Sequence, residues 1–155
     1  MTYTFSKRSE EKLFGVHPAL VAIVRHALRI SEVDFAVTCG VRTLEEQKQM
    51  VVKGASKTLA SKHLIQADGH SHAVDIAPFI NGGLRWDYGA CEKVAEAMKA
   101  AAVSKGFGLE WGGAWGFNLL HYNGTPGDAH KEYIAKRIHD GKKPFIDAFH
   151  FQLKD

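Results

Sequence analysis

Cysteine is scarce in this chain: Cys39 and Cys91 stand alone, without CxxC spacing. A disulfide framework is thereby excluded, and two buried free thiols are expected. Long apolar runs are missing too, since nothing approaches the ~20 residues of a membrane span, and Met1 to Arg8 holds no apolar signal core. The expectation is a protein made in the cytosol, with no membrane span and no standard export signal of its own. No GxSxG elbow, P-loop or HExxH helix is present, so none of those chemistries competes. Nor is there a strong excess of one charge. The formal net charge is +3 and the pI about 8.9, with the cations spread along the chain and no RRM, zinc-finger or helix-turn-helix signature. Such a surface attracts polyanions loosely and implies no specific nucleic-acid partner.

What is present is one ordinary domain, 1–155, with hydrophobic residues at 45% and charged residues at 24% and no repeat or low-complexity segment. Ser9 to Leu13 reads as a short helical lead-in closed by Gly15. His17-Pro18 opens a core helix whose apolar face runs through Leu20, Val21, Ile23, Val24, Ala27, Leu28 and Ile30. Phe35 to Cys39 reads as a strand with Phe35, Val37 and Cys39 on one face. Thr43-x-x-Glu46 is a capping box ahead of a helix from Leu44 to Lys53. Ala55 to Ser71 reads as an exposed loop carrying His63, Asp68 and His70. Ala73 to Phe79 is a second strand, and Asn81-Gly82-Gly83 a turn that folds Leu84 to Trp86 back. Ala90 to Lys105 is a helix ended by Gly106, and Phe107 to Trp115 a strand leaving the core through glycines. Asp128 is expected to cap a helix from Ala129 to His139 with Tyr133, Ile134 and Ile138 inward. Phe145 to Leu153 closes the chain as a strand.

Two of these strands carry ligand-type side chains. On Ala73 to Ala77, alternation puts Asp75 on a face with Ala73 and Ala77, while Val74 and Ile76 point the other way. On the last strand His150 and Gln152 oppose Phe149, Phe151 and Leu153. Catalytic zinc commonly takes three ligands from His, Asp and Glu and leaves a position for water. His63, Asp75 and His150 meet that count, although His70 and His72 lie near enough to Asp75 for either to displace His63. Asp147 is placed to take a proton from the attacking water, and Arg42, ahead of the Thr43 cap, to hold a carbonyl oxygen as it gains charge.

Ser61-Lys62-His63 with Ala73-x-Asp75-Ile76-Ala77-Pro78 resembles the Ser-x-His-x-x-Gly-x-Ala-x-Asp motif of the zinc DD-peptidases related to VanY and VanX. Asp147-Ala148-Phe149-His150-Phe151-Gln152-Leu153 is similar to that family's acid-x-x-His motif, and Gly40-Val41-Arg42-Thr43 to its Gly-x-Arg-Ser/Thr, with Gln47 at a position where glutamine often follows. The likeness is strongest to phage endolysins that cut the L-alanyl-D-glutamate bond of peptidoglycan. It implies a small α+β domain with a central antiparallel sheet flanked by helices and zinc in a surface groove. It implies His63, Asp75 and His150 as zinc ligands, Asp147 as general base, and Arg42 at the scissile carbonyl. Ser61, Gln47, Trp111 and Trp115 are expected to meet substrate, a peptidoglycan stem peptide, in a monomer that reaches the cell wall after release from the cytoplasm. The same family contains D-Ala-D-Ala carboxypeptidases, and a third reading is a zinc-bearing module that binds peptidoglycan without cutting it.

Three departures from the pattern stand out. The interval from His63 to Asp75 exceeds the motif's by about five residues, and a gap-free alignment would place Asp68 at the first ligand. Loops absorb insertions more easily than strands do, which favours His63. Ala114 stands in Trp111-Gly112-Gly113-Ala114-Trp115 where endolysins have an acid. Residues 116–144 form a longer link than usual and read as an insertion.

Overall fold

Five strands make one sheet whose two faces have different fates. The computed structural model describes residues 2–155. The strands are β1 (Asp34–Cys39), β2 (Ala73–Ile80), β3 (Gly83–Leu84), β4 (Leu109–Trp111) and β5 (His150–Leu153). Their order is β1-β2-β5-β4, with β3 paired to the end of β2, and every pairing is antiparallel. Five helices accompany them: α1 (Lys7–Lys12), α2 (Pro18–Ile30), α3 (Leu44–Val52), α4 (Tyr88–Lys105) and α5 (Pro126–His139). The fold is the α+β arrangement that the sequence implied.

One face of the sheet packs on α2 and α4. Val74, Ile76, Phe35, Val37, Leu109, Trp111 and Phe151 join Leu20, Ile23, Val24 and Leu28 of α2 and Val94 and Met98 of α4 in a single buried cluster. Full burial of the six largest aliphatic and aromatic members contributes on the order of 10 kcal/mol. That packing holds the inner face still, and with it the register that sets the outer face. The ends of the helices are built locally. Asp87 caps α4 through its side chain, and Gly106 closes it at a left-handed φ of 77°. Thr43 and Glu46 form the anticipated reciprocal cap on α3.

Several expectations change. The cap of α5 is Thr125, with Asp128 as the reciprocal partner three residues on and Pro126 in the first turn; proline extends the helix backwards because its missing N–H needs no partner there. Tyr133 is buried, but Ile138 is 65% exposed and Ile30 47% exposed, so neither belongs to a core face. The final strand is only β5: Ala148 and Phe149 form a turn ahead of His150, and Phe149 meets the Trp86 ring edge-on, with centroids 4.8 Å apart. A register shift between Val37 and Cys39 sets Cys39 opposite Asp75. The bulge rotates Cys39 out of the Phe35 and Val37 face, so it is half-buried and only Cys91 is a core thiol.

Residues 116–144 are anchored at Tyr122, Gly124 and Tyr133. Lys99 of α4 donates to the carbonyls of Tyr122 and Gly124, and Tyr133 exchanges two 3.0 Å hydrogen bonds with the backbone of Phe145. Among the described residues no helix is long and apolar enough to cross a membrane.

Candidate metal centre and cleft

The outer face of the sheet gathers the ligand-type side chains. In the antiparallel register of β2 and β5, Asp75 lies directly opposite His150, which brings His150 Nδ1 to 3.3 Å from Asp75 Oδ1. His63 arrives from the segment before β2, with its Nε2 3.1 Å from the same oxygen. That segment is irregular but not exposed at this point: His63 is 1% exposed, a correction to the exposed-loop reading. Its backbone N–H donates to Ser61 Oγ, Arg42 N–H donates to its carbonyl, and His72 N–H donates to the carbonyl of Lys62. Buried polar groups must be paired in this way, and the pairing fixes the ring. Asp68 lies elsewhere, on His72, and neither His70 nor His72 reaches Asp75. The geometry therefore brings His63, and not its loop neighbours, to Asp75.

Each imidazole has its second nitrogen committed. His63 Nδ1 lies 2.7 Å from the Gly40 carbonyl, which can only accept, so Nδ1 carries the proton there. His150 Nε2 donates to Gln152 Oε1 at 2.8 Å. Gln152 is oriented in turn because its Nε2 donates to Glu110 Oε1 at 3.1 Å. Glu110 is buried and also accepts the Gly116 N–H. The free nitrogens, His63 Nε2 and His150 Nδ1, thus both face one carboxylate oxygen. Lone pairs facing a carboxylate need a proton or a cation between them, and this is the ligand chemistry of a divalent transition metal with its outer partners in place. His63, Asp75 and His150 fit such an ion; Cys39 and Asp147 adjoin the group.

The charges agree with that geometry. Burial pulls the His63 imidazole down, but hydrogen bonds to Asp75 and Cys39 outweigh it and raise the group to about 10. Burial likewise works to raise Asp75, yet the hydrogen bonds from His150 and His63 hold its carboxyl far below the usual range. Asp147 is raised, first by burial and then by the negative charge of Asp75. Its backbone is clamped to β4: Asp147 N–H donates to the Gly112 carbonyl at 2.8 Å. A side chain at Gly112 would collide with the Asp147 carbonyl, so only glycine permits this approach.

Arg42 Nη1 donates to Gln47 Oε1 at 2.7 Å, and Nη2 lies 3.4 Å from Asp75 Oδ2. Gln47 is fully buried, and its amide donates to Ser56 Oγ and the Thr58 carbonyl. It does not reach the cleft; it holds the arginine. Trp111 is likewise enclosed, with its Nε1 donating to the Ala148 carbonyl at 2.8 Å. Ser61 and Trp115 do line the cleft, a cavity of about 800 Å³ walled also by Lys57, Lys62, Trp86, Phe145 and Phe149. The Trp115 ring stands 5.3 Å from that of His150. Sequence reasoning missed Glu110, whose part depends on the pairing of Glu110 with Gln152, and the rim aromatics Trp86 and Phe149. The signal available was Gln152, two residues from His150 on the same strand face.

A family model described as phage L-alanyl-D-glutamate peptidase matches residues 1–153. The chain belongs to that family. It is 33% identical over 145 residues to the L-alanyl-D-glutamate peptidase of Escherichia phage T5, covering 91% of this chain and 96% of the relative. The crystal structure of the Serratia marcescens L-Ala D-Glu endopeptidase ChiX superposes with a TM-score of 0.71 at 35% identity, covering 97% of this chain and 89% of that one. The resemblance drawn from the three motifs is thus borne out. In this member of the family, Ala114, at the place of the acid, is fully buried and joins the core cluster.

Proposed function

We propose that this chain is a zinc-dependent endopeptidase that hydrolyses the L-Ala-D-Glu bond of peptidoglycan stem peptides, acting as a phage endolysin on the cell wall after release from the host cytoplasm. The observation that carries this reading is the convergence of His63, Asp75 and His150 beside Asp147 at a cleft, in a chain whose named relatives cleave that bond. His63 Nε2, Asp75 and His150 Nδ1 would hold the ion. When bound, zinc supplies Lewis acidity to the scissile carbonyl and to the attacking water.

The chain's own groups do the rest. Asp147, made more basic by burial and by Asp75, takes a proton from the water as its oxygen bonds to the carbonyl carbon. Arg42 meets the carbonyl oxygen as it gains negative charge, and Gln47 keeps the guanidinium aimed. The C–N bond then breaks, and Asp147 returns the proton to the departing amine. Ser61 acts through His63 by holding its backbone. Trp115 with Trp86 and Phe149 forms the wall against which the peptide lies. The residues act as one monomeric peptidase domain, 1–155, in which the insertion at 116–144 contributes structure and supports the cleft rim where Tyr133 bonds the backbone of Phe145.

Purified protein incubated with defined muropeptides tests the reading by product mass. Cleavage between L-Ala and D-Glu, abolished by a chelator and restored by zinc, is expected. Release of D-alanine would instead assign a carboxypeptidase, and binding without turnover a non-catalytic module.

A further inference from the structure

The residues that lengthen the interval between His63 and Asp75 build a second ligand cluster, outside the cleft. Asp68, His70 and His72 lie on this loop and meet His17, the N-cap of α2. His72 Nε2 is 2.7 Å from Asp68 Oδ2, and His17 Nε2 is 3.7 Å from the same oxygen. One ligand atom from each of His17, Asp68 and His72 falls within 4.8 Å of the other two. The His17 ring stands edge-on to both His70 and His72, with centroids 5.5 and 5.2 Å away. His70 Nδ1 is buried there with no hydrogen-bond partner.

We propose that His17, Asp68 and His72 form a second divalent-metal site that pins the 64–72 loop to the start of α2. Two imidazoles and a carboxylate suit zinc or a similar transition ion, whereas calcium and magnesium want a shell of oxygens that this cluster lacks. The frame is preformed by the backbone. His17 N–H donates to the Ser71 carbonyl at 2.9 Å, His72 N–H to Lys62 at 2.8 Å, and Asp68 Oδ1 accepts the His70 N–H at 3.1 Å. The three side chains are 31%, 40% and 25% exposed, so a hydrated ion has access.

One rearrangement is required. His17 Nδ1 accepts the Ala19 N–H at 3.0 Å, which in a neutral ring leaves the proton on Nε2. Ligation through Nε2 takes the other tautomer and releases that cap, so the first turn of α2 exchanges one hydrogen bond for a metal tether. The site is independent of the peptidase reading, because its residues touch neither Asp75 nor His150.

Zinc content after equilibration with zinc chloride and gel filtration tests the assignment on the full chain. The wild type is expected to carry two ions, one per cluster, and His63→Ala to keep one. Asp68→Asn and His72→Gln, both close in size to the originals, are each expected to lose one ion with an unchanged circular dichroism spectrum. A single ion in the wild type that His63→Ala removes overturns the assignment, as does a second ion that survives both loop substitutions. Should a loop variant misfold, the histidine resonances of His63→Ala decide: His17 and His72 must shift on zinc addition, and their constancy refutes the site.

Discussion

Glu110 and Gln152 lie opposite each other in the register of β4 and β5, and the 3.1 Å hydrogen bond between them fixes which end of the Gln152 amide meets His150. A buried carboxylate accepts only, so Gln152 must present its oxygen to His150 Nε2. In the neutral ring His150 is thereby left with its lone pair on Nδ1, on the side of Asp75.

Removing either link should weaken the metal more than it damages the fold. Gln152→Leu or Glu110→Ala is expected to lower zinc affinity by about 10 to 100-fold, the usual consequence of losing an outer partner of a ligating histidine. Glu110→Gln, which still offers an oxygen to Gln152, should recover much of the loss. Competition against a calibrated chelator measures this; unchanged affinity in Gln152→Leu would show that His150 is oriented by other means.

Asp147→Asn tests the base role proposed for Asp147 apart from metal ligation. The turnover number is expected to fall by about 100 to 10,000-fold, with zinc content at the wild-type level. Muropeptide kinetics beside elemental analysis would check it, and loss of the metal along with activity would move Asp147 into the ligand set.

Zinc binding near neutral pH should release protons. His63 sits at about 10 without metal, so the ring is protonated at pH 7 and must deprotonate to bind. Calorimetry in buffers of different ionisation enthalpy would count them. The sign for stability also follows. His63 is raised above its ordinary 6.5, so the proton-held contact with Asp75 is fully stabilising below about 6.5 and is lost as the pH climbs towards about 10. The Tm of chelated protein should fall across that window, and the Tm of zinc-loaded protein should fall less.

Gln47→Leu keeps the volume but removes the acceptor that holds Arg42 and the buried amide donor to Ser56 Oγ and the Thr58 carbonyl. The expected cost is about 1 to 3 kcal/mol of stability, with a loss in turnover larger than any change in KM. Denaturant melts and kinetics on the same sample test both. Wild-type turnover would dissociate Gln47 from the arginine's placement.

How much of this was legible before the fold was known differs residue by residue. The Thr43 cap, the stripe of α2 and the alternation around Asp75 are local, set by neighbours within a few positions, and could be read directly. So could Asp75 and His150 as ligand-type side chains, whereas His63 shared its candidacy with His70 and His72, because a loop of that length gives no local rule for which of its histidines turns towards Asp75. The cap of α5 lies three residues ahead of Asp128 because Thr125 and Asp128 both satisfy the same local rule, and only the helix's true start separates them.

The sequence by itself determined the α+β class, the kinds of ligand available and the family to which the chain belongs. The tertiary structure decided which loop histidine meets Asp75, that Gln47 and Trp111 stand behind the cleft, and that Cys39 joins its polar face. It also tied His150 to Glu110. The reason is physical: strand register and a one-residue bulge are settled by packing between segments far apart in the chain, and a shift of one position sends every side chain to the opposite face.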